Sequence, residues 1–151
     1  MSDPDAAIPG AIERGDSLLR QISREIVHTQ KEAFGKGPTH SKAYMFDDML
    51  LVVMRDGLTV AEKTMLEFGQ EDLVRNFRQQ FENEMTSRLI GVIERLTERK
   101  VLTYQSQVMF DPDVIVEMFV FDKTGGYEER FATAEGQMED DRPGEVTESQ
   151  A

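Results

Sequence analysis

The chain has 151 residues, 30% of them charged and 39% apolar, the size and make-up of one globular domain able to bury a real core. Its 29 acidic residues against 17 lysines and arginines give a formal net charge of -12, which argues against a nucleic-acid surface or an anionic-membrane surface, since both need a positive field. There is no cysteine, which excludes disulfides, thiolate metal sites and a cysteine nucleophile and suits a reducing cytoplasm.

The opening run MSDPDAAIPGAIERGD carries acids where a secretory signal carries Lys or Arg, and no apolar stretch follows it, so a cytoplasmic protein is expected. No window approaches the roughly 18 apolar residues of a membrane span. Work at a membrane, if any, is therefore expected to go through a protein partner at the inner membrane, without direct insertion.

Residues 1–15 are rich in Pro, Asp, Ala and Gly and read as a flexible N-terminal arm. Helical periodicity begins near Asp16, an N-cap candidate, with Leu18, Leu19, Ile22, Ile26 and Val27 on one stripe and Ala33 and Phe34 extending it. Gly35 is expected to stop that helix. A strand is then expected over Lys42 to Phe46, a turn at Asp47 and Asp48, and a returning strand over Met49 to Arg55. The second of these strands, MLLVVM, is apolar on both faces, as a central strand covered on two sides would be.

Thr59 and Glu62 are spaced as a capping box that opens a short helix from Val60 to Phe68, closed by Gly69. From Gln70 to about Glu98 runs the longest element, on the order of 45 Å at about 1.5 Å per residue. Leu73, Phe77, Phe81, Met85, Leu89, Val92 and Leu96 mark its expected inner stripe. Arg75, Arg78, Arg88, Arg95 and Arg99, interleaved with Glu71, Glu82, Glu84 and Glu94, mark its expected outer face, with Glu71–Arg75 and Glu84–Arg88 as i,i+4 pairs.

Val101 to Phe110 reads as a third strand with Leu102, Tyr104, Val108 and Phe110 on one side, Asp111-Pro112-Asp113 as a turn, and Val114 to Phe121 as a fourth strand interrupted only by Glu117. Residues 123–151 read as an acidic, largely disordered tail: from Ala132 onward six acids face one base, Arg142. The order α-ββ-αα-ββ is that of an α+β fold, one domain over residues 16–122, in which two hairpins make a four-stranded antiparallel sheet covered by helices. Helices fit most easily on one face of that sheet, so the other face is expected to meet a second copy of the chain, giving a homodimer or higher homo-oligomer.

Candidate chemistry is sparse. Gly35-Lys36-Gly37-Pro38 has phosphate-loop residue types but follows a helix C-terminus, where the dipole is negative, so a glycine cap with a proline stop is the expected role. Asp47 and Asp48 lack the further oxygen ligands of a calcium loop and serve as turn residues, so no metal is expected. His28 and His40 make no i,i+4 zinc pair, and no motif surrounds Ser41 or Ser106. No catalytic residue, no cofactor and no enzymatic activity are expected. Loops on a rigid sheet are where binding is usually found, so Gly35, Lys36, Gly37, Pro38, Asp47 and Asp48 are the candidate partner-binding residues.

The run GKGP, a strand ending in Asp47-Asp48-Met49, the stretch Gly57-Leu58-Thr59-Val60-Ala61-Glu62-Lys63, and a long helix holding Leu73-Val74 and Arg78 resemble, in this order, the small bacterial MpsC-like family. The resemblance covers Leu18 to about Asp122. That family often has glycine just after the Leu-Thr that ends the long helix, where this chain has Leu96, Thr97 and Glu98. The family carries the description of a Na+-translocating membrane-potential-generating system component. The resemblance implies a soluble accessory or regulatory subunit tied to a membrane ion or inorganic-carbon (bicarbonate) transport system, with an integral membrane transport protein as partner. Two other readings are a sensor that binds an anion or nucleotide at the oligomer interface near the arginines of the long helix, and a ligand-free scaffold that recruits through its tail.

Overall fold

Glycines and capping side chains set most element ends in the computed structural model of the chain, which describes residues 9–123, with side chains from Gly15 onward. The expected acidic tail beyond Lys123 and the first part of the expected N-terminal arm lie outside the described residues.

Helix α1 spans Pro9–Phe34. It begins ahead of Asp16, which lies inside the helix; proline suits the first position because an N–H there would have no partner in the helix. Gly35 ends α1 at φ 76°, its N–H donating to the Lys31 carbonyl at 2.9 Å. Strands β1 (His40–Phe46) and β2 (Met49–Arg55) form the first hairpin, turning at Asp47 and Asp48. Helix α2 (Val60–Glu67) opens on the expected capping box: the Glu62 N–H donates to Thr59 Oγ1 at 3.2 Å, and the Thr59 N–H donates to Glu62 Oε1 at 2.9 Å.

Helix α3 spans Glu71–Thr97 and ends on Glu98 at φ 54°. That left-handed conformation is strained for a side chain bearing a Cβ and natural for glycine, so the turn keeps its sharp geometry without the glycine. Strands β3 (Val101–Met109) and β4 (Val114–Phe121) make the second hairpin.

The two hairpins join through β2 and β4 into one antiparallel sheet of order β1-β2-β4-β3, and the element order is the expected α-ββ-αα-ββ. Helix α1 packs on β1 and on α3, and α3 packs on β3. Both helices therefore cover the same face. Between them and the sheet lies the core, where Ile22, Ile26, Leu89 and Ile93 meet Leu50, Val52, Met54, Ile115 and Phe119. Strand alternation sends the other half of the residues to the opposite face. Tyr44, Leu51 and Met118 lie side by side there, as do Lys42, Val53 and Val116, and Phe46, Met49 and Val120. Helices α1 and α3 leave that face uncovered.

Two expectations about facing are corrected. The inner line of α3 is Val74, Arg78, Leu89 and Ile93, with Met85 half-buried between them, while Leu73 and Phe77 are exposed. The apolar residues at 73 and 77 pointed one position away from the true inner face because the residue that occupies it, Arg78, is charged. On β3 a bulge between Val101 and Thr103 turns Leu102 outward, so Val101, Tyr104 and Val108 face the core.

Arg78 sits in the interior because its head meets a carboxylate, a carbonyl and an aromatic ring. Its Nε and Nη2 donate to Glu62 Oε2 and Oε1 at 2.5 and 2.6 Å, Nη2 donates to the Gly57 carbonyl at 3.0 Å, and the guanidinium lies 3.8 Å from the centre of the Phe34 ring. Both ends of the pair are only about 5% exposed. Burial pushes the Glu62 carboxyl up, but the hydrogen bonds from Arg78 and Thr59 outweigh it and hold the group below the usual carboxylate range. Removing one partner strands the other's charge. Arg78→Met is expected to destabilise the fold by about 3–5 kcal/mol in urea denaturation, and Arg78→Met with Glu62→Gln to recover at least half of that loss. Equal losses in the single and double variants would mean the pair is not what holds these residues.

Candidate functional site

Glu117 is the one charged residue in the apolar run of β4, and alternation along the strand sends it to the helix-covered face, between Val52 on β2 and Ser106 on β3. It is 1% exposed. Its carboxylate accepts hydrogen bonds from the Tyr104 hydroxyl on β3 and, at 3.1 Å, from Gln30 Nε2 on α1. Ser106 lies beside it and gives its backbone N–H to Glu82 Oε1 on α3 at 3.0 Å. Two carboxyl groups thus converge on one serine beneath the helices.

No cation serves this pair among the described residues, because the nearby Arg78 is already bound by Glu62. Burial pushes Glu117 up to about 7, against the hydrogen bonds from Tyr104 and Ser106 that favour its charged form. Burial also raises Glu82, and burial followed by the Glu117 charge raises the Tyr104 hydroxyl. The buried Gln30 Oε1 has no donor among the described residues. Beside the cluster is a cavity of about 20 Å³, lined in part by Phe34, Phe81 and Met85. That is room for a water molecule, far below the roughly 300 Å³ at which small-molecule sites begin. The arrangement can hold and release a proton near neutral pH, but it has no space for a substrate.

The residues singled out from the sequence lie elsewhere and in two places. Gly35, Lys36, Gly37 and Pro38 run beside the loop after β2: Lys36 Nζ donates to the Leu58 carbonyl at 3.1 Å, and a Cβ on Gly57 would stand 3.8 Å from Pro38 and 2.9 Å from Ile115. Asp47 and Asp48 sit at the other end of the hairpin, a seven-residue strand or roughly 20 Å away. There Arg99 donates to the Asp47 carbonyl at 2.9 Å and pairs with the buried Asp48 carboxylate. The two groups do not form one surface.

The arginines of the expected outer face of α3 are mostly engaged. Arg75 pairs with Glu71 as expected, Arg88 with Glu32 of α1 instead of Glu84, Arg78 with Glu62 and Arg99 with Asp48. Glu82, read as solvated, turns inward to Ser106. The sequence signal for this cluster was the single acid interrupting β4; nothing in the sequence marked Glu82, Gln30 or Tyr104 as its neighbours. Among the described residues no group of three or more His, Cys, Asp or Glu is placed to hold a metal ion.

A carboxyl raised in the fold binds its proton more tightly there than in the unfolded chain, whose reference value is 4.5. Its contribution to stability is full below that value and is lost as pH rises through about 7. Glu117→Gln stays neutral throughout. The stability of Glu117→Gln relative to the parent is expected to shift in the variant's favour by about 3 kcal/mol from acid to mildly alkaline pH, measured by urea denaturation. A difference that does not move with pH would place the Glu117 proton affinity at its ordinary value.

Comparison with known proteins bears on the same stretch of chain. No curated protein and no solved structure matches it. The family described as Na+-translocating membrane potential-generating system (MpsC) matches residues 15–123, which take in the capping box of α2, the buried Glu62–Arg78 pair, the Glu117 cluster and all four strands. That span is well over half of the chain, and the chain belongs to the MpsC family.

Proposed function

We propose that the chain is a non-enzymatic accessory subunit of a membrane ion-translocating system, and that it pairs with a second copy of itself through the open face of its sheet. The open face is the observation that carries this reading. Leu51, Val53, Val116, Met118 and Val120 form an uncharged apolar centre, while Lys42, Arg55, Gln105 and Gln107 stand around it. An apolar centre with a polar rim is the make-up of a protein interface. Two such sheets stack about 10 Å apart, and a two-fold axis lets the patch meet itself.

The family description supports the link to ion translocation. No helix among the described residues is long and apolar enough to cross a membrane; the route to the system in this reading is the binding of an integral membrane protein. Inorganic carbon, as bicarbonate, is the cargo this reading favours. Lys36 and Asp48 are both engaged within the fold, so the hairpin ends contribute to partner binding mainly by shape and backbone.

Light scattering at micromolar concentration is expected to give the mass of two chains for the parent. Met118→Glu puts a charge at the centre of the patch and is expected to weaken pairing by about a hundred-fold or more, leaving single chains. A parent that stays at the mass of one chain would remove the pairing half of the proposal. The accessory half is read separately, by recovering the tagged chain from gently cross-linked cells after membranes are solubilised. One integral membrane transport protein is expected in stoichiometric yield; recovery of the bait alone would overturn it.

A further inference from the structure

Strand β1 is an edge of the sheet, and between its free side and α1 runs a groove of about 740 Å³. Arg20, Ser23 and Arg24 of α1 line one wall, and Ser41, Lys42 and Phe46 of β1 line the other. The two serines join the walls through a hydrogen bond of 2.6 Å. Leu19 and Met45 supply apolar surface, and the single acid in the lining is Asp16.

Arg20, Arg24 and Lys42 have no carboxylate within ion-pair distance among the described residues, unlike Arg75, Arg78, Arg88 and Arg99, each of which has one. Three exposed cations without an ion-pair partner among the described residues, gathered on one groove of a chain whose net charge is -12, make a local site for an acidic ligand. The backbone groups on the outer side of β1 add unpaired donors and acceptors to which an extended segment can bond.

We propose that the occupant is the acidic segment of this same chain that follows Lys123. Residues 124–151 hold eight acids, from Glu128 to Glu148, against Arg130 and Arg142. The segment also leaves the fold at the right end. The Phe121 N–H donates to the Asp48 carbonyl at 2.8 Å, so β4 finishes beside the turn that follows Phe46, a residue of the groove wall. Crossing β2 and β1 takes roughly 15 Å and following β1 takes roughly 23 Å more. About a dozen extended residues span that path at roughly 3.3 Å each, fewer than half of the segment. Tethering gives the segment an effective concentration in the millimolar range, so an acidic partner for this groove must displace it.

The absence of cysteine makes Gln137→Cys a single site for a nitroxide spin label on the full chain. At low salt the amide signals of β1 and of residues 16–24 are expected to lose more than about half their intensity, while those of β3 at the far edge keep theirs. Arg20→Glu with Arg24→Glu and Lys42→Glu is expected to restore them. Salt at about 1 M, where the Debye length falls to about 3 Å, is expected to do the same without any substitution. Full intensity in the parent would overturn the proposal, and so would attenuation that survives both charge reversal and salt. Attenuation seen only between a labelled chain and a separate observed chain would overturn the assignment to the same molecule.

Discussion

The guanidinium of Arg78 is the point at which the separate parts of this fold are held in one arrangement. It bonds the carboxylate that caps α2, the carbonyl of Gly57 at the exit from β2, and the ring of Phe34 at the end of α1, while itself standing on α3. A planar five-donor group meets those demands together and a lysine would not. Taking both charges out of water carries a large desolvation cost, which the paired hydrogen bonds offset only in this geometry. The alternatives are therefore poor: sliding α3 by a turn, or opening the loop at Gly57, leaves a buried ion unpaired. Replacing both partners by apolar residues of similar volume would lift that constraint without stranding a charge.

The same interior treats its acids in two ways, and geometry decides which. Glu62 meets a guanidinium and two backbone or hydroxyl donors, and stays charged. Glu117, buried as deeply, meets a phenol, an amide and a second acid, and none of these supplies positive charge. The cost of burying an anion is then met by proton uptake. The cluster also crosses elements, since Gln30 is on α1, Glu82 on α3, and Tyr104 and Ser106 on β3. Its protonation near neutrality is therefore linked to contacts from α1, α3 and β3 together.

Much of the fold was legible because its signals are local. Gly35 and Gly69 take positive φ, Thr59 and Glu62 make their box within four residues, and each hairpin turn lies between strands that alternate or run apolar. The unread parts depend on contacts far along the chain. Arg78 looks like a surface residue until Glu62 is brought to it, and Glu82 until Ser106 is; a stripe drawn through apolar residues alone therefore passed through Leu73 and Phe77 instead. The bulge at Leu102 has no mark in the sequence. Asp48 was legible as a turn residue, but not as the partner of Arg99, which closes the sheet end against the exit of α3.

These placements divide the molecule by charge. On the outer side of the helical layer several ions are matched within the fold: Arg88 bridges α3 to Glu32 on α1, and Arg75 binds Glu71. A matched surface is well solvated and offers a partner little net gain. On the far side of the sheet the apolar centre carries no charge and gains only by being covered. The edge at β1 is different again: among the described residues its groove cations have no ion-pair partner and no strand lies on its outer side. Surfaces of these kinds recognise different things: the sheet face suits a rigid apolar surface such as itself, the edge an extended acidic chain. The two surfaces meet along β1, where Ala43 faces α1, Tyr44 faces the open sheet and Lys42 stands at the border of both, so pairing through the one and binding through the other compete for the Lys42 side chain.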